Sequence, residues 1–151
     1  MDKRAITQFR AENMKEPIID STATATMLVA AEDLASALPQ LDPEDAFPAV
    51  LATARMVALM EIASARLLHP CLSEGEMSVG VNVEISHSAP TPEGSNVTAT
   101  ARYLGRDGKL FVFEVSAADP GGEVGRGRHK RAIVSAERLQ NSALRRVSSV
   151  P

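Results

Sequence analysis

The chain has 151 residues, 44% of them hydrophobic, which suits one domain with a core of its own. Its net charge of −3 argues against general nucleic-acid binding, and a single cysteine, Cys71, excludes an internal disulfide framework. No apolar run approaches the roughly 20 residues of a membrane span, and the charged first stretch lacks the apolar segment of a signal peptide, so a cytoplasmic protein without membrane partners is expected.

Residues 1–22 read as a polar, loosely structured arm, and residues 23–138 as the folded domain. Within it, Ala23 to Ala30 carries Thr24, Thr26, Leu28 and Val29, a pattern with good strand propensity. Glu32 to Asp45 is a polar connection broken by Pro39 and Pro43. The strongest helical segment runs from Pro48 to Leu68. Pro48 suits a first helical turn, acidic residues precede it, and His69-Pro70 marks the stop. This helix is apolar nearly all round, so it is predicted to be buried.

From Met77 the period changes to two. Val79, Val81, Val83 and Ile85 alternate with Gly80, Asn82, Glu84 and Ser86, and Val97, Ala99, Ala101 and Tyr103 form a second alternating run. Arg106-Asp107-Gly108-Lys109 reads as a hairpin turn in which Asp-Gly supplies positive φ angles. Phe111 to Ala117 is the next strand, Asp119 to Gly122 the next turn, and Glu123 to Ala136 a long last strand. Residues 139–151 read as a disordered polar tail. One buried helix followed by a four-strand meander, with a fifth strand ahead of it, makes an α+β domain: a five-stranded antiparallel sheet wrapped around one long helix. Open sheet edges and an uncovered face then predict a homodimer.

Certain polar residues are not explained by a core. At about 100° per residue, Arg55 and Arg66 fall within about 20° of each other and define the solvent stripe, whereas Thr53 lies about 160° and Glu61 about 120° from Arg55. Glu61 has Val57, Ala58, Ser64 and Ala65 as helical neighbours, so no cation on the helix can pair with it. A carboxylate so placed is costly unless another element satisfies it, which makes Glu61 a functional candidate. His87 continues the Val79–Ile85 register, so its imidazole is expected on the helix-packing face, where it and Glu61 would make an acid/base pair. Thr53 alone means little, since a helical threonine more often bonds back to a nearby carbonyl.

Phe47-Pro48-Ala49-Val50-Leu51-Ala52-Thr53, Met56 to Glu61, Gly75 to Gly80, and Ser86 to Pro92 together resemble the fluoroacetyl-CoA thioesterase family, over roughly residues 16–138. The Thr, a Glu eight residues later and a His twenty-six beyond match in type and spacing. The resemblance implies a hotdog fold, a dimer, and hydrolysis of a short acyl-CoA by water with neither metal nor separate cofactor. It places the catalytic group on Thr53, Glu61 and His87, an aromatic lid on Phe47, a pocket glycine on Gly80 and an arginine near the thioester on Arg131. Direct water attack and a covalent route stay open, as does the acyl group.

In the last strand Arg126, Arg128 and Lys130 share one face and His129 and Arg131 the other; the first three suit either CoA phosphates or plain solvation. His69-Pro70-Cys71 offers too few ligands for a metal. A hotdog dehydratase would need an Asp and a His at a shorter spacing. The alternative of another class is a non-catalytic acyl-CoA-binding or structural dimer, which has no need of Glu61 and His87.

Overall fold

A computed structural model describes residues 16–148 and 150. The chain forms β1 (Thr22–Leu28), helix α1 (Thr53–Leu68), β2 (Glu76–His87), β3 (Asn96–Asp107), β4 (Leu110–Asp119), β5 (Gly122–Ser135) and a second helix, α2 (Ala136–Ser148). The strands make one antiparallel sheet in the order β1-β3-β4-β5-β2. Only β3, β4 and β5 form the expected meander. β2 does not pair with its sequence neighbour β3 but crosses to the far edge beside β5.

Helix α1 packs chiefly on β1 and β3 and buries Met56, Leu59, Met60, Ala63, Ser64 and Leu68. Tyr103 and Phe113, 5.5 Å apart between ring centres, anchor the core on the sheet side. Ser64, inside that apolar face, satisfies its hydroxyl by donating to the Met60 carbonyl at 2.9 Å. Arg66 reaches out to the Thr24 carbonyl (2.7 Å) and Arg55 to Asp33 (3.5 Å), which fixes the solvent stripe where the sequence puts it.

The helix begins five residues later than Pro48 suggests. Residues 48–52 are kept out of the helix because other segments hold their backbone: Ala35 N–H donates to Val50, Ser36 N–H to Pro48, Leu51 N–H to Thr91 and Ala52 N–H to Asp33. Pro48 therefore serves as an acceptor in a pinned segment, and Thr53 opens the helix. At the other end α1 stops at Leu68 as expected, although His69 keeps helical angles (φ −52°, ψ −45°) and leads into a tighter turn over His69–Cys71.

Two further details also differ. In the β3–β4 turn only Gly108 has positive φ (60°), so the Asp-Gly pair does not share that role. The segment expected as a tail is helical to Ser148, its Leu139, Leu144 and Val147 exposed. Of the expected arm, residues 1–15 lie outside the described residues. Its end is tied to β3: the Tyr103 hydroxyl donates to Glu16 at 2.6 Å, Arg102 pairs with Asp20, and Asp20 N–H donates to the Tyr103 carbonyl. Burial, with Glu16 holding the proton, pushes the Tyr103 phenol well above its ordinary pKa.

Candidate active site

The simple alternation read in β2 is broken by a bulge between Gly80 and Asn82, where Gly80 faces Arg131 and Asn82 faces Lys130. Directly opposed residues share a face of the sheet. The register therefore turns Ser78 and Gly80 toward the helix before the bulge, and Val83, Ile85 and His87 after it. Met77 and Val79 fall on the opposite face from Ile85, contrary to the unbroken pattern.

His87 ends β2 beside the start of α1. Thr53 Oγ1 lies 2.8 Å from His87 Nδ1, and the threonine is exposed on the first turn of the helix rather than sunk in its apolar side. Neither a core role nor back-bonding to a carbonyl accounts for it. His87 Nε2 is buried and has no hydrogen-bond partner among the described residues. The pair opens on a cleft of about 390 Å³ lined by Ala35, Pro48, Val50, Leu51, Ser88 and Pro90, a size within the range of small-ligand sites. Phe47 stands beside the rim residue Pro48 with its ring half exposed, and does not itself line the cleft.

Glu61 is not at His87, and the expected acid/base pair does not form within one chain. No cation on the helix serves it, as its spacing implies, but Arg131 on β5 does: Nη1 lies 3.4 Å from Glu61 Oε1. Arg131 is 6% exposed, and it also donates from Nε to Ser78 Oγ (3.0 Å) and from Nη2 to the Ser78 carbonyl (2.9 Å). Burial pulls the guanidinium pKa below its ordinary value and Glu61 pulls it back. Gly80 is where the carboxylate finds room, since a Cβ there would sit 2.2 Å from Glu61 Oε1. The six expected site residues thus divide: Thr53 and His87 meet at the cleft, with Phe47 near its mouth, while Glu61, Gly80 and Arg131 meet at the bulge.

Sequence reasoning missed two members of the second group, Ser78 and His129. His129 is 1% exposed and touches Asn82 and Arg131. The available signal was its place on the same strand face as Arg131, opposite three outward cations. Two of those outward residues are engaged as surface charges: Arg126 pairs with Glu123 and Glu114, and Lys130 with Asp107. Among the described residues no group of three or more His, Cys, Asp or Glu side chains could hold a metal ion, and no helix is long and apolar enough to cross a membrane.

The sequence profile of the fluoroacetyl-CoA-specific thioesterases matches residues 29–137. The fluoroacetyl-CoA thioesterase of Streptantibioticus cattleyicolor is 42% identical over 93 residues, covering 62% of this chain and 67% of that protein. A solved fluoroacetyl-CoA thioesterase superposes with a TM-score of 0.80 at 35% identity, over 89% of this chain and 98% of the other. A Thermus thermophilus thioesterase superfamily member, 26% identical, superposes with a TM-score of 0.77 over 89% of this chain and 96% of that one. With the profile spanning most of its length and the same curled sheet in its relatives, the chain belongs to the fluoroacetyl-CoA-specific thioesterase family and is a hotdog-fold thioester hydrolase.

Proposed function

We propose that the protein hydrolyses a small acyl-CoA to the free acid and CoA at a site built by two copies of the chain, Thr53 and His87 coming from one and Glu61 from the other. The contact of 2.8 Å between Thr53 Oγ1 and His87 Nδ1, beside a buried Nε2 with no partner among the described residues, is the observation that carries this reading. With the proton on Nδ1 and donated to Thr53, His87 Nε2 presents a lone pair that can take a proton from water. The Thr53 hydroxyl is then free to donate toward the thioester oxygen. Water is the nucleophile, CoA arrives as part of the substrate, and no metal or other cofactor takes part.

A second copy supplies what one chain lacks. β2 is an open sheet edge with Met77, Val81 and Val83 exposed, and Ile62 on α1 is exposed beside Glu61. Apolar side chains on an unpaired edge favour pairing with another chain. In such a dimer the half-exposed Glu61 of one copy faces the His87 of the other. Phe47 covers the cleft, and Gly80 and Arg131 serve the acyl end through Glu61. Relatives solved with acetyl-CoA, or with fluoroacetate and CoA, support an acyl-CoA substrate. A cytoplasmic location agrees with such a substrate and with the free Cys71.

The test is release of free CoA, followed with a thiol reagent, from acetyl-, fluoroacetyl-, phenylacetyl- and medium-chain acyl-CoA. Turnover of one or more small acyl groups is expected, with His87→Ala lowering kcat by roughly 10²- to 10⁴-fold. Silence of the folded wild type across the panel, or full activity of His87→Ala, would overturn the reading.

A further inference from the structure

His129 is buried among groups that leave its protonation no freedom. Its Nδ1 lies 2.8 Å from the Asn82 backbone carbonyl, which can only accept, so Nδ1 carries the proton. Its Nε2 lies 3.1 Å from Arg131 Nη1, which can only donate, so Nε2 is a bare lone pair. The distance of 3.9 Å from Nε2 to Glu61 Oε1 is then no ion pair, because the ring is neutral. The two hydrogens on Arg131 Nη1 go to His129 Nε2 and to Glu61 Oε1, while Ser78 takes Nε and Nη2. The bulge at Gly80/Asn82 accompanies the Asn82 carbonyl that His129 meets, and Gly80 leaves space for the carboxylate.

We propose that His129 is a positioning residue: as the Nδ1–H tautomer it fixes the rotation of the Arg131 guanidinium, and through Arg131 the direction in which Glu61 is offered to the reaction. This rests on the thioesterase reading of Glu61. The ring has no route to substrate, since its faces are closed by the core, with Phe113 on β4 6.5 Å away between centres. The ionisable groups that face it are Glu61 from α1 and Arg131 from its own strand. Burial, with the Arg131 cation adding to it, holds the imidazole pKa below its ordinary value and so favours the neutral form. A second proton, on Nε2, would put a cation against the guanidinium and compete with it for Glu61.

Two measurements on the full chain test the proposal. In the wild type, nitrogen NMR of the histidine rings at neutral pH should show His129 protonated on Nδ1 and bare on Nε2; the opposite tautomer or an imidazolium would overturn it, whatever the activity. In kinetics with the acyl-CoA that the wild type turns over best, His129→Leu should lower kcat about tenfold to a hundredfold with little change in KM. His129→Gln, which can both donate to Asn82 and accept from Arg131, should restore most of that loss. An unchanged kcat in His129→Leu, or a loss that appears in KM alone, would sink the positioning role while leaving the thioesterase reading standing. A wild type that releases no CoA would overturn the thioesterase reading and the catalytic part of this one, and the tautomer would still report whether the Arg131 brace exists.

Discussion

A single methyl group added at Gly80 would collide with the carboxylate that this family of contacts is built to hold. The Cβ of Gly80→Ala would lie 2.2 Å from Glu61 Oε1 and 3.0 Å from His129 Cε1. The nearer atom is the end of a flexible side chain, so Glu61 can swing away and the fold survives. Overpacking costs about 1–3 kcal/mol in a rigid core, and relief by Glu61 places this variant near 1 kcal/mol. Activity should suffer more than stability, falling at least about tenfold as the carboxylate loses Arg131. Thermal unfolding and CoA-release kinetics on the same preparation check both halves; unchanged kcat would mean that Glu61 has no fixed position to lose. His129 gives a second, pH-based expectation. Its folded pKa lies below the ordinary value of about 6.5, so between those two values the unfolded chain binds a proton that the folded chain refuses. Stability from this group is fully present above about pH 6.5 and is lost as the pH falls below it. Melting temperatures recorded from pH 7.5 to 5 should therefore decline less steeply in His129→Gln than in the wild type. Identical slopes would show that the buried ring does not resist protonation.

How much of this was legible in the sequence varies by element. The alternating runs in β3 and β4 locate strands correctly because one face of each meets α1, so burial and period agree. β2 is different. Its valines continue in step, but the bulge transfers Ser78 and Gly80 to the inner face and sends Val79 out, and a bulge leaves no mark in hydropathy. That is why Gly80 and Glu61 meet, although the alternation alone put Gly80 outside. Pro48 fits a helical first turn locally, so the sequence starts α1 too early, while the backbone bonds to Ala35, Ser36 and Asp33 that hold residues 48–52 out of the helix are non-local. The shift changes the chemistry: with Thr53 on the first turn its hydroxyl reaches the end of β2, and His87 finds Thr53 rather than Glu61. For Glu61, helical spacing correctly implied that its partner lies on another element, but the identity of Arg131 depends on β5 packing. From residue 139 on, the polar composition of helix α2 offers little to a core and so predicts disorder, and in the fold none of the helix's residues is buried.

Taken as one molecule, the chain keeps the two halves of the proposed centre apart: a Thr53–His87 pair at the cleft, and a half-exposed Glu61 held by Arg131 next to an open edge strand. A two-fold dimer is self-complementary, so in the proposed dimer one interface would bring the halves together at both centres. This makes a quantitative prediction for subunit mixing. In a hybrid of His87→Ala and Glu61→Gln chains, one site combines the intact His87 of one chain with the intact Glu61 of the other, while the second site has lost both. Each parent variant alone has no complete site. Random exchange gives about half hybrid dimers, each with one of two sites restored, so mixed subunits should recover about one quarter of wild-type turnover. Were all three residues to act within a single chain, no mixing ratio would restore activity, because every chain would still lack one of them. A tagged-subunit purification of the hybrid sharpens the result, with about half of wild-type turnover expected from a shared site and none from a site confined to one chain. The measurement also bears on the sheet edge: Val81→Lys with Val83→Lys should convert the wild type to single chains in light scattering and abolish CoA release while leaving Thr53 and His87 untouched, since a monomer holds each half of the centre but not their meeting.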